Sequence, residues 1–254
     1  MARPEFLVLR AAGTNCEIET AWALETAGAR VNTVHIKRIL EEPSLLERAQ
    51  GLVIPGGFSY GDDIAAGRIL ANQIRNHLAP SVAAFVEKGG LVLGICNGFQ
   101  VLVKTGLLPG RYLPRMVQEV TLGWNDSNQY ECRWVYLECL PSKCLFLPPG
   151  GTILRVPVAH AEGKLLPGKP GGEKDLFREG LAALRYVTPD GKSPAPFPWN
   201  PNGSAGGIAA LTDPTGRILG MMPHPERAML PWHLPGGGEP QGGEIFRRMV
   251  ALLA

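Results

Sequence analysis

Nowhere in this chain of 254 residues are two cysteines separated by only two positions. That absence removes the commonest ligand spacing of a structural zinc. The five cysteines are odd in number, so they cannot all pair within the chain. Long apolar runs are missing as well. No uninterrupted stretch is long enough to span a bilayer, and Phe6-Leu7-Val8-Leu9 is too short for a signal-peptide core. Neither sign of charge dominates. The formal net charge is +2 with 19% charged residues, and no basic stripe stands out, so nucleic-acid binding has little electrostatic support. These absences point to a cytoplasmic, reducing compartment in which free thiols are available for chemistry.

What is present is enough for one sizeable core. The hydrophobic fraction is 45%, and α/β chains of this length often form a single domain, here residues 1–254. Gly and Pro are abundant, but they cluster between apolar segments instead of replacing them. In the first half, short apolar runs alternate with longer amphipathic ones. Residues 6–9, 31–36, 52–54 and 91–95 read as strands. Residues 17–27, 45–49, 64–77, 81–88 and 99–104 read as helical. Such βαβ alternation predicts an open, mostly parallel sheet with helices on both faces, a flavodoxin-like α/β fold.

The second half reads differently. Residues 116–122, 130–138, 152–158 and 181–187 form strands with no helix between them. Residues 208–211 and 218–222 flank Asp213-Pro214-Thr215-Gly216, a strong turn signal. This half is expected to be an antiparallel extension plus the last strands of the main sheet, closed by a helix over 245–253. Residues 166–174 and 231–243 read as Gly/Pro-rich surface loops.

The most informative segment is Leu91-Val92-Leu93-Gly94-Ile95-Cys96-Asn97-Gly98-Phe99-Gln100. An apolar strand runs into Gly-x-Cys-x-Gly and then a helix, which is the cysteine form of a nucleophile elbow. The sharp turn crowds the backbone, and glycines at 94 and 98 relieve that crowding. A helix N-terminus favours an anion, and the thiolate is the attacking form of cysteine. The bland alternative is a buried thiol with glycines that serve packing. Cys16, in Gly13-Thr14-Asn15-Cys16-Glu17, also precedes a helix but has no elbow. Cys132, Cys139 and Cys144 lie in or near strands and read as structural.

A thiol nucleophile needs a base, and the base needs a group that holds its tautomer. Two His-x-Glu units exist, His160-Ala161-Glu162 and His224-Pro225-Glu226. In extended backbone, residues two apart share a face, so each carboxylate is within reach of its own histidine. His224 is preferred because it follows an apolar strand and is fixed between two prolines. Catalytic groups gather at the carboxyl ends of strands in open α/β sheets. His160 is left a supporting role or a paired loop position. Gly56 and Gly57, ahead of Phe58, let backbone N–H groups point into a pocket, as an oxyanion hole requires. The competing reading is a tight turn with Asp62 or Asp63 capping the next helix. The same Asp pair has no further ligands spaced for a metal.

Taken together, these motifs resemble the class I, triad-type glutamine amidotransferases. Asn97 stands where other members usually carry Leu. With 13–17, 56–62, 160–163, Asn200-Pro201-Asn202-Gly203-Ser204 and His224-Pro225-Glu226-Arg227, it makes the chain similar to the glutaminase subunits of phosphoribosylformylglycinamidine synthase. The resemblance implies that Cys96 is the nucleophile, His224 the base and Glu226 its orienter. Gly57 and Asn97 would supply oxyanion-hole N–H groups. Gly56, Phe58, Gln100 and His160 would shape the glutamine pocket. It also implies that ammonia passes to a separate synthetase subunit, joined by a small third subunit. ATP and Mg would sit on that partner, with no cofactor or metal in this chain. Ala161 departs from the family's usual Gly, and Ala11-Ala12 from a common proline. Competing readings are another class I glutaminase, a γ-glutamyl hydrolase on the same fold and a non-catalytic binding module.

Overall fold

The computed structural model describes residues 3–254. In chain order the first half contains β1 (Glu5–Arg10), α1 (Glu17–Thr26), β2 (Arg30–His35), α2 (Ile36–Glu41), α3 (Leu45–Arg48), β3 (Gly51–Ile54), α4 (Arg68–Gln73), α5 (Ala79–Glu87), β4 (Leu91–Ile95) and α6 (Asn97–Thr105). The second half contains β5 (Val120–Trp124), β6 (Glu131–Cys139), β7 (Ile153–His160), β8 (Glu162–Pro167), α7 (Gly172–Arg178), β9 (Ala182–Val187), β10 (Ile208–Thr212), β11 (Ile218–Met221) and α8 (Gly243–Ala251).

Nine strands form one sheet in the order β2-β1-β3-β4-β11-β10-β9-β6-β7. The pairs from β2 through β11 are parallel, and those from β11 to β7 are antiparallel. The antiparallel half therefore extends the main sheet instead of forming a layer of its own. β3, β4 and β11 are buried along their whole length, as expected of parallel strands covered on both faces. Their carboxyl ends lie side by side and lead into Pro55, Cys96 and Met222.

Several expectations need correction. The helix read from residue 64 begins at Arg68, after a left-handed Gly67. Residues 64–67 form turns, with Ile64 at φ 71 and almost fully exposed. The strand read from 116 starts at Val120 and pairs with β8 in a separate two-stranded sheet. That sheet covers α6, all of whose residues are buried. The loop read over 166–174 instead contains the end of β8 and the start of α7, so a helix does separate the strands of the second half. Helix α7 is anchored by buried Leu176, and Asp175 pairs with Lys169 and Arg178. Short α2 was not anticipated either. It buries Ile36 and Ile39, and the His35 imidazole accepts from the Lys37 N–H at its start.

Candidate active site

Cys96 sits between β4 and α6 at φ 51, ψ −104, a region that costs a non-glycine residue free energy. The two glycines make the turn possible by close approach. A Cβ on Gly98 would stand 1.8 Å from the Ile54 carbonyl oxygen, and one on Gly94 would stand 2.7 Å from that of Gly98. The Cys96 amide donates to Met221 O at 2.8 Å, which fixes the elbow to β11. Its thiol donates to Ala159 O at 3.5 Å, beside the end of β7.

Three residues past the end of β11, the His224 amide donates to Pro157 O at 2.8 Å. Pro225–Arg227 then form one 3-10 turn. That turn folds Glu226 back so that His224 Nδ1–H donates to Glu226 Oε1 at 2.5 Å, with both side chains buried. A carboxylate only accepts, so the contact places the proton on Nδ1 and leaves Nε2 free. Burial opposes charge on His224. Glu226, together with the Cys96 and Cys16 sulfurs, outweighs burial and holds its pKa well above the ordinary value. His224 Nε2 itself has no aligned hydrogen-bond partner. Such misalignment is common before substrate binds.

The second His-x-Glu unit does not form a pair. His160 Nδ1 contacts Asn125 Oδ1 at 3.1 Å, and its pKa is lowered to about 3, mainly by burial and then by His224. The ring is neutral and no charged base. Glu162 points elsewhere. Its Oε2 accepts from Ala66 N at 3.3 Å and lies 3.9 Å from Lys104 Nζ. Two-residue spacing in extended backbone does not bring this pair together, because β7 ends at His160 and β8 starts at Glu162.

A cleft of about 270 Å³ opens over Cys96. Gly57, Phe58, Asp62, Gln100, Trp124, His160 and Glu162 are among its walls. Gly57 has φ 131, and a Cβ there would be 2.7 Å from Asn15 N. The Phe58 N–H donates to Gly13 O and the Cys16 N–H to Gly56 O, so the loop is tied down by bonds that bypass the Gly57 N–H. Asn97 opens α6, where the first amides have no intrahelical acceptor. Its side chain accepts from Ser59 N at 3.2 Å and donates to Asp62 at 3.0 Å and Gln100 at 2.9 Å. Gln100 in turn donates to Glu162 O at 2.6 Å. Asn97 and Gln100 therefore hold the cleft walls together. Gly56 lies behind, where an added Cβ would meet His224 Cε1 at 2.8 Å. Phe58 and Tyr130 face one another at the mouth, ring centroids 6.5 Å apart.

Sequence reasoning missed several participants. Lys104 is a buried cation whose Nζ donates to Ala66 O at 2.5 Å. Burial lowers its pKa, opposed by Glu162 and Asp62. Asp62 is correspondingly raised by burial. Cys16 lies against His224, with its sulfur 3.1 Å from Arg227 Nη2. Only the helical spacing of Lys104 from Gln100 hinted at the first. Cys16, read as a helix-start thiol without an elbow, gave no local sign of its contact with His224.

The chain matches the CobB/CobQ-like glutamine amidotransferase domain over residues 3–251. It is 47% identical to the phosphoribosylformylglycinamidine synthase subunit PurQ of Dehalococcoides mccartyi over 89% of this chain and 86% of that one. It is 40% identical to the same-named subunit of Archaeoglobus fulgidus, over 97% of this chain and 96% of the relative. A chain from the structure of PurLQS from Thermotoga maritima superposes with a TM-score of 0.77 at 28% identity, covering 100% of both chains. The chain belongs to the CobB/CobQ-like glutamine amidotransferase family, within its group of phosphoribosylformylglycinamidine synthase PurQ subunits.

Proposed function

We propose that this chain hydrolyses glutamine to glutamate and ammonia through Cys96, His224 and Glu226, and passes the ammonia to a separate synthetase subunit. The observation that carries the chemistry is the buried His224–Glu226 contact of 2.5 Å beside a strained cysteine at a strand-to-helix elbow. The Cys96 thiolate attacks the side-chain carboxamide of glutamine. The developing oxyanion is held by the Gly57 and Asn97 amides, each worth about 3–4 kcal/mol when well placed. His224, charged with the help of Glu226, protonates the departing ammonia. The resulting neutral imidazole then takes a proton from water, which hydrolyses the γ-glutamyl thioester. His160, kept neutral, walls the cleft without competing for protons.

The names of the relatives and the PurLQS structure support the wider reading. The partner synthetase converts formylglycinamide ribonucleotide to formylglycinamidine ribonucleotide in purine biosynthesis, assisted by a small third subunit. ATP and Mg are assigned to that partner, and residues 1–254 act as one glutaminase domain. No helix among the described residues is long and apolar enough to cross a membrane. Five free cysteines suit a cytoplasmic setting. The test is glutaminase turnover and labelling by an electrophilic glutamine analogue. Label on Cys96, with ammonia transferred to the nucleotide in the reconstituted complex, supports the proposal. Label elsewhere, or hydrolysis of γ-glutamyl peptides in preference to glutamine, refutes it.

A further inference from the structure

Cys16 has no part in the mechanism above, yet it sits inside the catalytic group. A Cβ added to Gly56 would lie 3.1 Å from Cys16 Sγ, 2.8 Å from His224 Cε1 and 3.5 Å from Cys96 Cβ. Donor atoms of Cys16, His224 and Glu226 lie within 4.8 Å of one another, and all three residues are buried. We infer that Cys16, His224 and Glu226 form a binding site for a soft divalent cation of the zinc class, whose occupation withdraws His224 from catalysis.

The donor set selects the class of ion. One sulfur, one imidazole nitrogen and one carboxylate oxygen suit zinc, whereas calcium and magnesium favour oxygen alone. Zinc bonds of about 2.0–2.3 Å bring neighbouring ligands to roughly 3.3–3.8 Å in a tetrahedral site. The three donors must therefore close by up to about 1.0–1.5 Å, within reach of side-chain rotations. Two of the residues also hold spare capacity. His224 Nε2 and Glu226 Oε2 are buried without hydrogen-bond partners. An ion shared by His224 and Glu226 takes the place of the Nδ1 proton between them, so binding breaks the orienting hydrogen bond.

The sulfur is held in place by its backbone. The Cys16 amide donates to Gly56 O at 3.3 Å, and Cys16 opens α1. Arg227 opposes a cation, since its Nη2 stands 3.1 Å from the sulfur. Its side chain is about two-fifths exposed, so it has room to swing away. Its charge weakens the site and makes binding reversible. The ligands come from opposite ends of the sequence, which is why the lack of a Cys-x-x-Cys spacing gave no sign of it.

Binding of the ion stands apart from the proposed function, whereas inhibition rests on His224 as the base. The experiment separates them. Co2+ is titrated onto the full-length Cys96→Ala chain, which keeps all three ligands and lacks the nucleophile. The expected result is one Co2+ per chain, with a thiolate-to-cobalt charge-transfer absorption that Zn2+ displaces. That absorption should vanish in Cys96→Ala/Cys16→Ser and in Cys96→Ala/His224→Ala, each shown to be folded by circular dichroism. In the reconstituted complex with native Cys96, Zn2+ should inhibit glutaminase turnover reversibly on chelation. The concentration for half-inhibition should rise at least tenfold in Cys16→Ser. No absorption in Cys96→Ala, or absorption that survives loss of Cys16, overturns the inference. Binding without inhibition would overturn the claim that occupation withdraws His224 from catalysis.

Discussion

His224 Nδ1 and Glu226 Oε1 stand 2.5 Å apart in a part of the molecule closed to solvent. The contact fixes which nitrogen faces Cys96 and stabilises the imidazolium that must form during acyl transfer. Glu226→Gln keeps the shape but loses the charge. The variant is expected to lose about 10³–10⁴-fold in kcat, with a much smaller change in KM for glutamine. Steady-state kinetics on the reconstituted complex check this. A loss below about tenfold would mean that Glu226 neither orients nor charges His224.

Removing the nucleophile should separate the two halves of the reaction. Cys96→Ala is expected to abolish use of glutamine while the complex still works with added ammonium salts. Product formation is compared with each nitrogen source. Near-normal glutamine use by this variant would move the chemistry to another residue.

The parallel strands, the elbow and the pairing of His224 with Glu226 were legible because each is written locally. Apolar runs of three to five residues mark β1, β3 and β4, and glycines two positions either side of Cys96 announce the close approach of β3 and α6. The His-x-Glu rule succeeded at 224–226 for a reason other than the one that suggested it. A 3-10 turn, not extended backbone, folds Glu226 onto the ring. At 160–162 the extended argument failed, because Asn125 and Lys104 claim the two side chains from distant segments. Helix α7 was hidden by Gly171-Gly172, which read as loop residues although Gly171, at φ 72, precedes the helix. Contacts such as Cys16 with His224 are tertiary, and no spacing within the sequence encodes them.

The two histidines should differ in kinetics and in their effect on acid stability. His224→Ala should lose thioester formation almost completely in rapid-quench assays. His160→Ala should be milder and should act mainly on glutamine affinity. The pKa of His160 is lowered to about 3, so the unfolded chain binds its proton first as pH falls below about 6.5. Stability should therefore drop on the acid side by up to about 1.4 kcal/mol per pH unit from this group. His224 has the opposite sign: its raised pKa contributes fully below about 6.5 and is lost only at higher pH. His160→Gln should flatten the limb between about pH 6.5 and about pH 5, before most carboxylates titrate. Urea unfolding across that range reads the slope, and an unchanged slope would contradict a neutral His160.

Lys104 joins three segments that carry the cleft. Its Nζ donates to Ala66 O and sits 3.9 Å from Glu162, while Glu162 accepts from Ala66 N. Lys104→Met fills similar space but leaves Glu162 and Asp62 without their cation. Loss of one partner from a fully buried pair costs about 3–5 kcal/mol. Because Glu162 remains partly exposed, a loss of about 2–3 kcal/mol is expected, with a raised KM for glutamine. Urea midpoints at constant slope and steady-state kinetics measure the two effects. No change in KM would confine the network to stability.

The last prediction concerns dependence on the synthetase. Spilled ammonia is wasted, so a glutaminase that feeds a partner should stay slow until that partner is loaded. Loop 56–63 and segment 200–204 both contain glycines, which leave a backbone easily repositioned, but the structure separates them. Segment 200–204 is pinned, with Asn202 Nδ2 donating to Gly163 O at 2.9 Å and Ser204 Oγ accepting from Leu165 N at 3.0 Å. The loop after β3 is also tied down, by Phe58 N–H to Gly13 O and Tyr60 N–H to Ala12 O, but it carries backbone strain as well. Tyr60, Asp62 and Ile64 all have positive φ, an uncommon state for such side chains. Asn97 ties the same loop to the elbow through Ser59 and Asp62. A partner pressing on the exposed Ile64 could therefore shift Gly57 relative to Cys96. Adding the synthetase, its small companion and nucleotide is expected to raise kcat at least about tenfold, which requires only ~1.4 kcal/mol of transition-state stabilisation. Ile64→Asp should blunt that activation while leaving the basal rate of the isolated chain within about twofold. Glutaminase kinetics on the chain alone and reconstituted decide the matter. Full activity without partners would refute gating, and full activation of Ile64→Asp would place the control elsewhere than this loop.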